Sequence, residues 1–146
     1  MSHSELAVAT FRDGFNCSQA VLSAFAPEMG LDRDTALRVA GAFGGGIARM
    51  GQTCGAVSGA LMVLGLKYSQ TKPEDRPAKE KMYAIAKDFM ERFKAHNGSA
   101  LCRELLGYDI SNPREYQIVK DKRLFTSLCP RLVEDAVEIV EQLLQR

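Results

Sequence analysis

The feature that most constrains the fold of this chain is the spacing of its apolar residues, which recur every three or four positions. The clearest example lies near the C-terminus, where Val133, Val137 and Val140 form one stripe between acidic residues. A second stripe, which includes Phe89, predicts a long helix over residues 77–95. No stretch alternates convincingly between apolar and polar residues, as a half-buried strand would.

Glycine, proline and capping residues divide the rest of the chain into further helices with short connections. Hydrophobic residues make up 46% of the chain, which is enough to build one core. We therefore predict an all-α fold, a helical bundle with short loops that forms a single domain over residues 1–146. The remaining predicted helices cover residues 4–13, 17–25, 33–43, 53–69, 100–106, 113–121 and 130–145.

The charge balance and the longest apolar run bear on partners and location. The chain has 19 Lys and Arg against 18 Asp and Glu, so neither nucleic acid nor an anionic membrane surface would attract it strongly. No basic segment followed by an unbroken apolar stretch opens the sequence, as a secretory signal requires. The apolar run between Cys54 and Leu66 is interrupted by glycines and is too short to span about 30 Å of hydrocarbon. We expect no nucleic-acid partner, no membrane insertion and a cytoplasmic location.

In a reducing compartment, four cysteines rarely form two permanent disulfides. All four cysteines of this chain fall in the first turn of a predicted helix. Cys17 follows Asn16, which is a good N-cap residue. Cys129 is itself the predicted N-cap of the last helix, because Pro130 favours the first helical turn.

The other two cysteines have similar positions. Cys54 opens the helix that follows the glycine-rich segment, and Cys102 lies three residues after Ser99, which can cap a helix. A helix N-terminus favours thiolate over thiol, so we expect at least one cysteine pKa below its ordinary value. Arg103 and Arg131, next to two of the cysteines, should act in the same direction.

The spacing of the cysteines excludes a local site. There is no Cys-x-x-Cys, so neither a thioredoxin-like motif nor a zinc ribbon is present. Any shared site must be assembled by the fold, and we expect the four cysteines to converge with Cys54 at the centre. His3 and His96 are expected to be solvated rather than ligands.

Glycines surround the second cysteine. Gly44, Gly45 and Gly46 are consecutive, but no Lys-Ser/Thr pair ends the segment as in a P-loop, so we interpret it as a turn between helices. Gly55 and Gly59 share one helix face, which would allow another helix or a cofactor to approach closely. We therefore include Gly55 and Gly59 as candidate cofactor-binding residues.

At these residues the chain resembles the C_GCAxxG_C_C family, small bacterial and archaeal proteins classed as redox-active. The segment from Cys54 to Gly59 matches the family's CGAxxG motif, and Cys17, Cys102 and Cys129 follow the expected order. The resemblance extends from about Phe11 to Leu144. It implies redox chemistry at the cysteines and association with a redox partner protein or a transporter-associated system. A similar domain resembles part of the split-Soret cytochromes, but this chain has no Cys-x-x-Cys-His for covalent haem attachment.

Three functions remain open. The first is thiol–disulfide or electron-transfer chemistry at the catalytic candidates, which would make the chain a thiol oxidoreductase. The second is an iron–sulfur cluster or a soft metal held by the same four cysteines. The third is a structural bundle with inert thiols. The sequence leaves the cofactor and the oligomeric state open. The four candidates are Cys17, Cys54, Cys102 and Cys129.

Overall fold

The computed structural model describes residues 1–145 and confirms the all-α fold. Arg146, the last residue of the predicted domain, lies outside the described residues. None of the described helices is both long and apolar enough to cross a membrane. The helices are α1 (His3–Arg12), α2 (Cys17–Phe25), α3 (Arg33–Val39), α4 (Gly55–Tyr68), α5 (Arg76–Asn97), α6 (Cys102–Leu106), α7 (Pro113–Asp121), α8 (Leu124–Ser127) and α9 (Cys129–Leu144).

Beyond shifts of one or two residues at helix ends, two α-helices differ from the sequence-based prediction. The helix predicted over residues 33–43 ends at Val39, and a separate 3₁₀ turn, Gly41–Phe43, continues the chain. The short α8 was not predicted; Arg123 precedes it in the left-handed conformation, and no side chain caps its start. A helix without a capping side chain leaves no N-terminal signal in the sequence.

The centre of the molecule is α4, which packs against α2, α5 and α9. Burial on several sides suits its composition, because its apolar residues are spread around the helix rather than confined to one stripe. The predicted stripes of α5 and α9 are buried as expected: Phe89, Phe93 and Val133 are fully inaccessible to solvent.

Close packing of α2 against α4 depends on the two motif glycines. A Cβ at Gly59 would lie 2.6 Å from the carbonyl oxygen of Ser18, and a Cβ at Gly55 would lie 3.3 Å from the Cβ of Cys17. The close approach that we expected at this face is therefore made by α2. The cofactor-binding role of Gly55 and Gly59 stays a prediction.

An isolated antiparallel bridge between Thr53 and Leu101 joins two segments that are distant in sequence. The N–H of Cys54 donates to the carbonyl of Ala100 at 2.8 Å, and the N–H of Cys102 donates to the carbonyl of Gln52 at 2.7 Å. The bridge places the start of α6 beside the start of α4. A single pair has no alternating pattern, so the sequence could not indicate it.

Candidate functional site

The structure places all four cysteines on the wall of one cavity of about 670 Å³. Each cysteine is a free thiol, and each is at least nine-tenths buried. Every one of the six pairs of thiols interacts electrostatically. The cysteines, which are dispersed along the chain, are therefore neighbours in space.

Cys17 and Cys129 are the first residues of α2 and α9, two helices that pack against each other. Asn16 caps α2 through a reciprocal capping box with Gln19, in which Asn16 Oδ1 accepts from the Gln19 N–H at 2.9 Å. Leu128, rather than Cys129, holds the N-cap position of α9, so the predicted N-cap residue is displaced by one position. The two thiols are hydrogen-bonded to each other.

The Cys17–Cys129 hydrogen bond shifts the pKa values of the two thiols in opposite directions. It raises the pKa of Cys17 well above its ordinary value of 9.0, and burial adds to the rise. The same bond lowers the pKa of Cys129, although burial opposes the effect. Cys17 is thus the thiol that donates, and Cys129 is the sulfur that more readily carries the negative charge.

Cys54 and Cys102 lie on either side of the Thr53–Leu101 bridge. Cys54 is the N-cap residue of α4, and Cys102 is the first residue of α6, with Leu101 as N-cap. Ser99, three residues before Cys102, was a candidate for the cap of this helix. Its hydroxyl oxygen instead accepts a hydrogen bond from the N–H of Leu101 at 3.0 Å.

Burial raises the pKa of Cys54 to about 11, although the N–H groups of Ala56 and Val57 oppose the rise. Burial, together with the neighbouring sulfurs, raises the pKa of Cys102 to about 12. The expectation that at least one cysteine pKa lies below its ordinary value is met by Cys129, whereas the pKa values of the other three cysteines are raised. Removal from water is the main cause for Cys54 and Cys102, whereas for Cys17 the hydrogen bond with Cys129 comes first and burial second.

The glycine-rich segment forms part of the cavity wall. Gly45, Gly46, Ile47, Ala48 and Arg49 are all in the left-handed conformation, and three of them are not glycine. That conformation is rare for residues with a side chain, above all for a β-branched one, so the segment is strained. A Cβ at Gly46 would lie 2.8 Å from the Cβ of Cys102, which shows how closely the segment packs on that cysteine. The predicted turn is present, and it also contributes to the site.

Sequence reasoning missed several residues that line the cavity, among them Arg49, Tyr116 and Phe125. The guanidinium of Arg49 lies 5.1 Å from the ring centroid of Tyr116, whose ring lies 5.5 Å from that of Phe125. The only signal in the sequence was the position of Arg49 within the segment that precedes Cys54. Nothing local connects that segment with α7 and α8.

The histidines lie outside the cavity. His3, which we expected to be solvated, is partly buried: it belongs to α1, its ring stacks on that of Phe25 with 4.1 Å between the centroids, and it pairs with Glu28. His96 is exposed at the end of α5, 3.5 Å from Asp135. Neither histidine lines the cavity with the cysteines.

We tested whether the cysteines fit a metal or a cluster. Among residues 1–145, no group of three or more His, Cys, Asp or Glu side chains is arranged so that it could hold a metal ion. The metal or iron–sulfur site that the sequence left open at the four sulfurs therefore stays a prediction.

Comparison with known proteins agrees with the resemblance seen in the sequence. Residues 15–143 match the family model described as "Putative redox-active protein (C_GCAxxG_C_C)". Searches among curated proteins and among solved structures found no significant match.

Proposed function

The chain belongs to the C_GCAxxG_C_C family of redox-active proteins, and we propose on that premise that Cys17 and Cys129 form the reactive pair of a thiol–disulfide redox centre. The observation that carries the proposal is the direct hydrogen bond between the two thiols, which separates their pKa values in opposite directions. A dithiol needs one thiol that ionises first and a second thiol within bonding reach.

The exchange begins at Cys129, whose thiolate attacks one sulfur of a substrate disulfide. The substrate S–S bond breaks, the first thiolate leaves and takes up a proton, and a mixed disulfide with Cys129 remains. Cys17 then gives up its proton and attacks the Cys129 sulfur, which releases the second substrate thiol. Two protein thiols are oxidised to one disulfide, and one substrate disulfide is reduced to two thiols.

Cys54 and Cys102 serve as a second dithiol in the same cavity. Their high pKa values keep them protonated at neutral pH, so they react more slowly than Cys129. Both interact electrostatically with Cys129. They are therefore placed to restore the first pair by exchange after it has been oxidised.

The test is a redox titration of the intact protein in glutathione buffers of increasing oxidation, followed by alkylation and peptide mapping. We expect the first disulfide to link Cys17 and Cys129. The double variant Cys54→Ser/Cys102→Ser should still form it, whereas Cys129→Ser should not. A first disulfide that links any other pair, or four thiols that stay reduced in the most oxidising buffer, would contradict the proposal.

A single-cysteine series tests the order of attack. Among variants in which Cys129 is the one cysteine retained, alkylation at neutral pH should be faster when position 17 is serine than when it is alanine, because the hydrogen bond from residue 17 is what lowers the Cys129 pKa. Cys17→Ser, which keeps a hydroxyl donor, is therefore the matched control for Cys17→Ala, and equal alkylation rates for the two variants would contradict the assigned hydrogen bond.

A further inference from the structure

The reactive thiols can be reached only through the cavity. Cys17 is 9% exposed and Cys129 is 8% exposed, so a disulfide on the surface of a folded partner could not approach them without rearrangement. The cavity volume of about 670 Å³ lies in the range of small-molecule sites. A substrate that enters it must therefore be small.

The residues that line the cavity indicate which kind of molecule would fit it. Apart from the cysteines and the glycine-rich segment, it is mainly aromatic and aliphatic, and it carries no carboxylate. Asp109, which influences Cys102, does not line the cavity and has Arg103 beside it. An apolar or aromatic molecule would contact this wall well. The apolar lining residues that are best placed for this contact are Phe11, Phe15, Leu105, Ile110, Phe125 and Leu132.

Arg49 is the one charged side chain among the residues that line the cavity. It lies over the Tyr116 ring, and Lys120 lies 5.9 Å from the same ring centroid. Within the described part of the chain, no carboxylate forms an ion pair with Arg49. Arg49 is solvent-exposed and has no acidic partner among residues 1–145, and its guanidinium at the edge of a cavity without other charged side chains favours a ligand with an anionic group.

The strained backbone supports a specific role for this residue. Arg49 is left-handed, with φ of 63°, and it follows two further left-handed residues, Ile47 and Ala48. Strain of this kind persists only where the surrounding structure holds it, and it often accompanies ligand sites. Here it places an arginine at the cavity, while Gly46 of the same segment packs on Cys102.

We propose that the cavity binds a small organic disulfide that carries a carboxylate, with Arg49 binding the carboxylate and the apolar wall holding the body of the molecule against the cysteines. The inference rests on the proposed function, since the bound S–S bond is reduced by the exchange already described. It adds the class of substrate and the residue that selects it.

Two aryl disulfides test the selection. Dithiobis(nitrobenzoate) carries a carboxylate on each ring, whereas dithiodipyridine is neutral at pH 7, and both release a thiol that is followed by absorbance. We expect Arg49→Gln to slow the reaction of the intact protein with the anionic reagent by about tenfold, the effect of losing one charged hydrogen bond. The reaction with the neutral reagent should change by less than about twofold, because no charge contact is lost.

Two further variants complete the experiment. Arg49→Lys keeps the charge and should retain most of the preference for the anionic reagent. Arg76→Gln removes an exposed arginine on α5, which contributes no residue to the cavity, and should leave both rates unchanged. An increase in salt should weaken the anionic preference of the wild-type protein and not that of Arg49→Gln.

The outcomes separate this inference from the proposed function. If Arg49→Gln slows both reagents equally, or slows neither, the role of Arg49 is refuted even where the Cys17–Cys129 disulfide forms. If the neutral reagent oxidises the wild-type protein without linking Cys17 to Cys129, the proposed pair fails, while the charge preference is still measured by the initial rates.

Discussion

Replacing Gly59 by alanine tests the contact that holds α2, and with it Cys17, against α4. The new Cβ would lie 2.6 Å from the carbonyl oxygen of Ser18 and 3.2 Å from the Cβ of Val21. The first neighbour is backbone and cannot rotate away, so α2 has to shift. Overpacking of this kind costs about 1–3 kcal/mol.

A second glycine of α4 allows the cost of the clash to be separated from the higher helix propensity of alanine. Alanine gains about 1 kcal/mol over glycine in a helix interior, which partly hides the clash at Gly59. At Gly65 the nearest atom to an added Cβ is the Ser69 hydroxyl, at the ordinary distance of 3.4 Å. Gly65→Ala should therefore show the gain alone. The difference between the two variants should equal the cost of the clash, about 1–3 kcal/mol.

Urea unfolding of the wild-type protein and both variants, fitted with a common dependence on denaturant, measures this difference. We expect the Gly65→Ala variant to be more stable than the wild-type protein. The Gly59→Ala variant should be less stable than the wild-type protein or about as stable. Equal stabilisation by both substitutions would refute the reasoning, because it would mean that α2 does not rest on Gly59.

Two further measurements test burial. Burial raises the pKa of Cys54 from 9.0 to about 11, so between these pH values the unfolded chain loses a proton that the folded chain keeps. Over this range, the Cys54 thiol should make the free energy of unfolding fall by about 1.4 kcal/mol for each unit of rising pH. The Cys54→Ala variant should show a shallower fall. The same slope in the variant and the wild-type protein would contradict the burial of this thiol. Phe89→Ala should cost about 3–5 kcal/mol, since Phe89 is fully buried and stacks on Phe93 at 5.9 Å. Tyr83→Ala, on the exposed side of α5 at 56% exposure, is its control, and a loss below about 1 kcal/mol at Phe89 would place that stripe outside the core.

Helices whose signals are local could be predicted from the amino-acid sequence. The N-cap at Asn16 and the apolar stripes of α5 and α9 depend on residues at most four positions apart, and the structure has all of them. The family could likewise be recognised from the motif at Cys54 and the order of the other cysteines. Such information is readable because capping hydrogen bonds and helical periodicity act within one or two turns.

The proximity of the cysteines and the acidity of their thiols, by contrast, depend on tertiary contacts. No local pattern predicts that the first residue of α2 meets the first residue of α9, or that a single bridge between Thr53 and Leu101 brings together the segments that carry Cys54 and Cys102. The acidity of the thiols depended on the same packing. The dipole at a helix start can be inferred from sequence, but the loss of water around a sulfur and the charge of its neighbours exist only once distant helices are in contact. For that reason burial, rather than position at a helix start, sets the pKa values of Cys54 and Cys102. Of the four cysteines, only Cys129, which accepts a hydrogen bond from Cys17, is shifted towards thiolate.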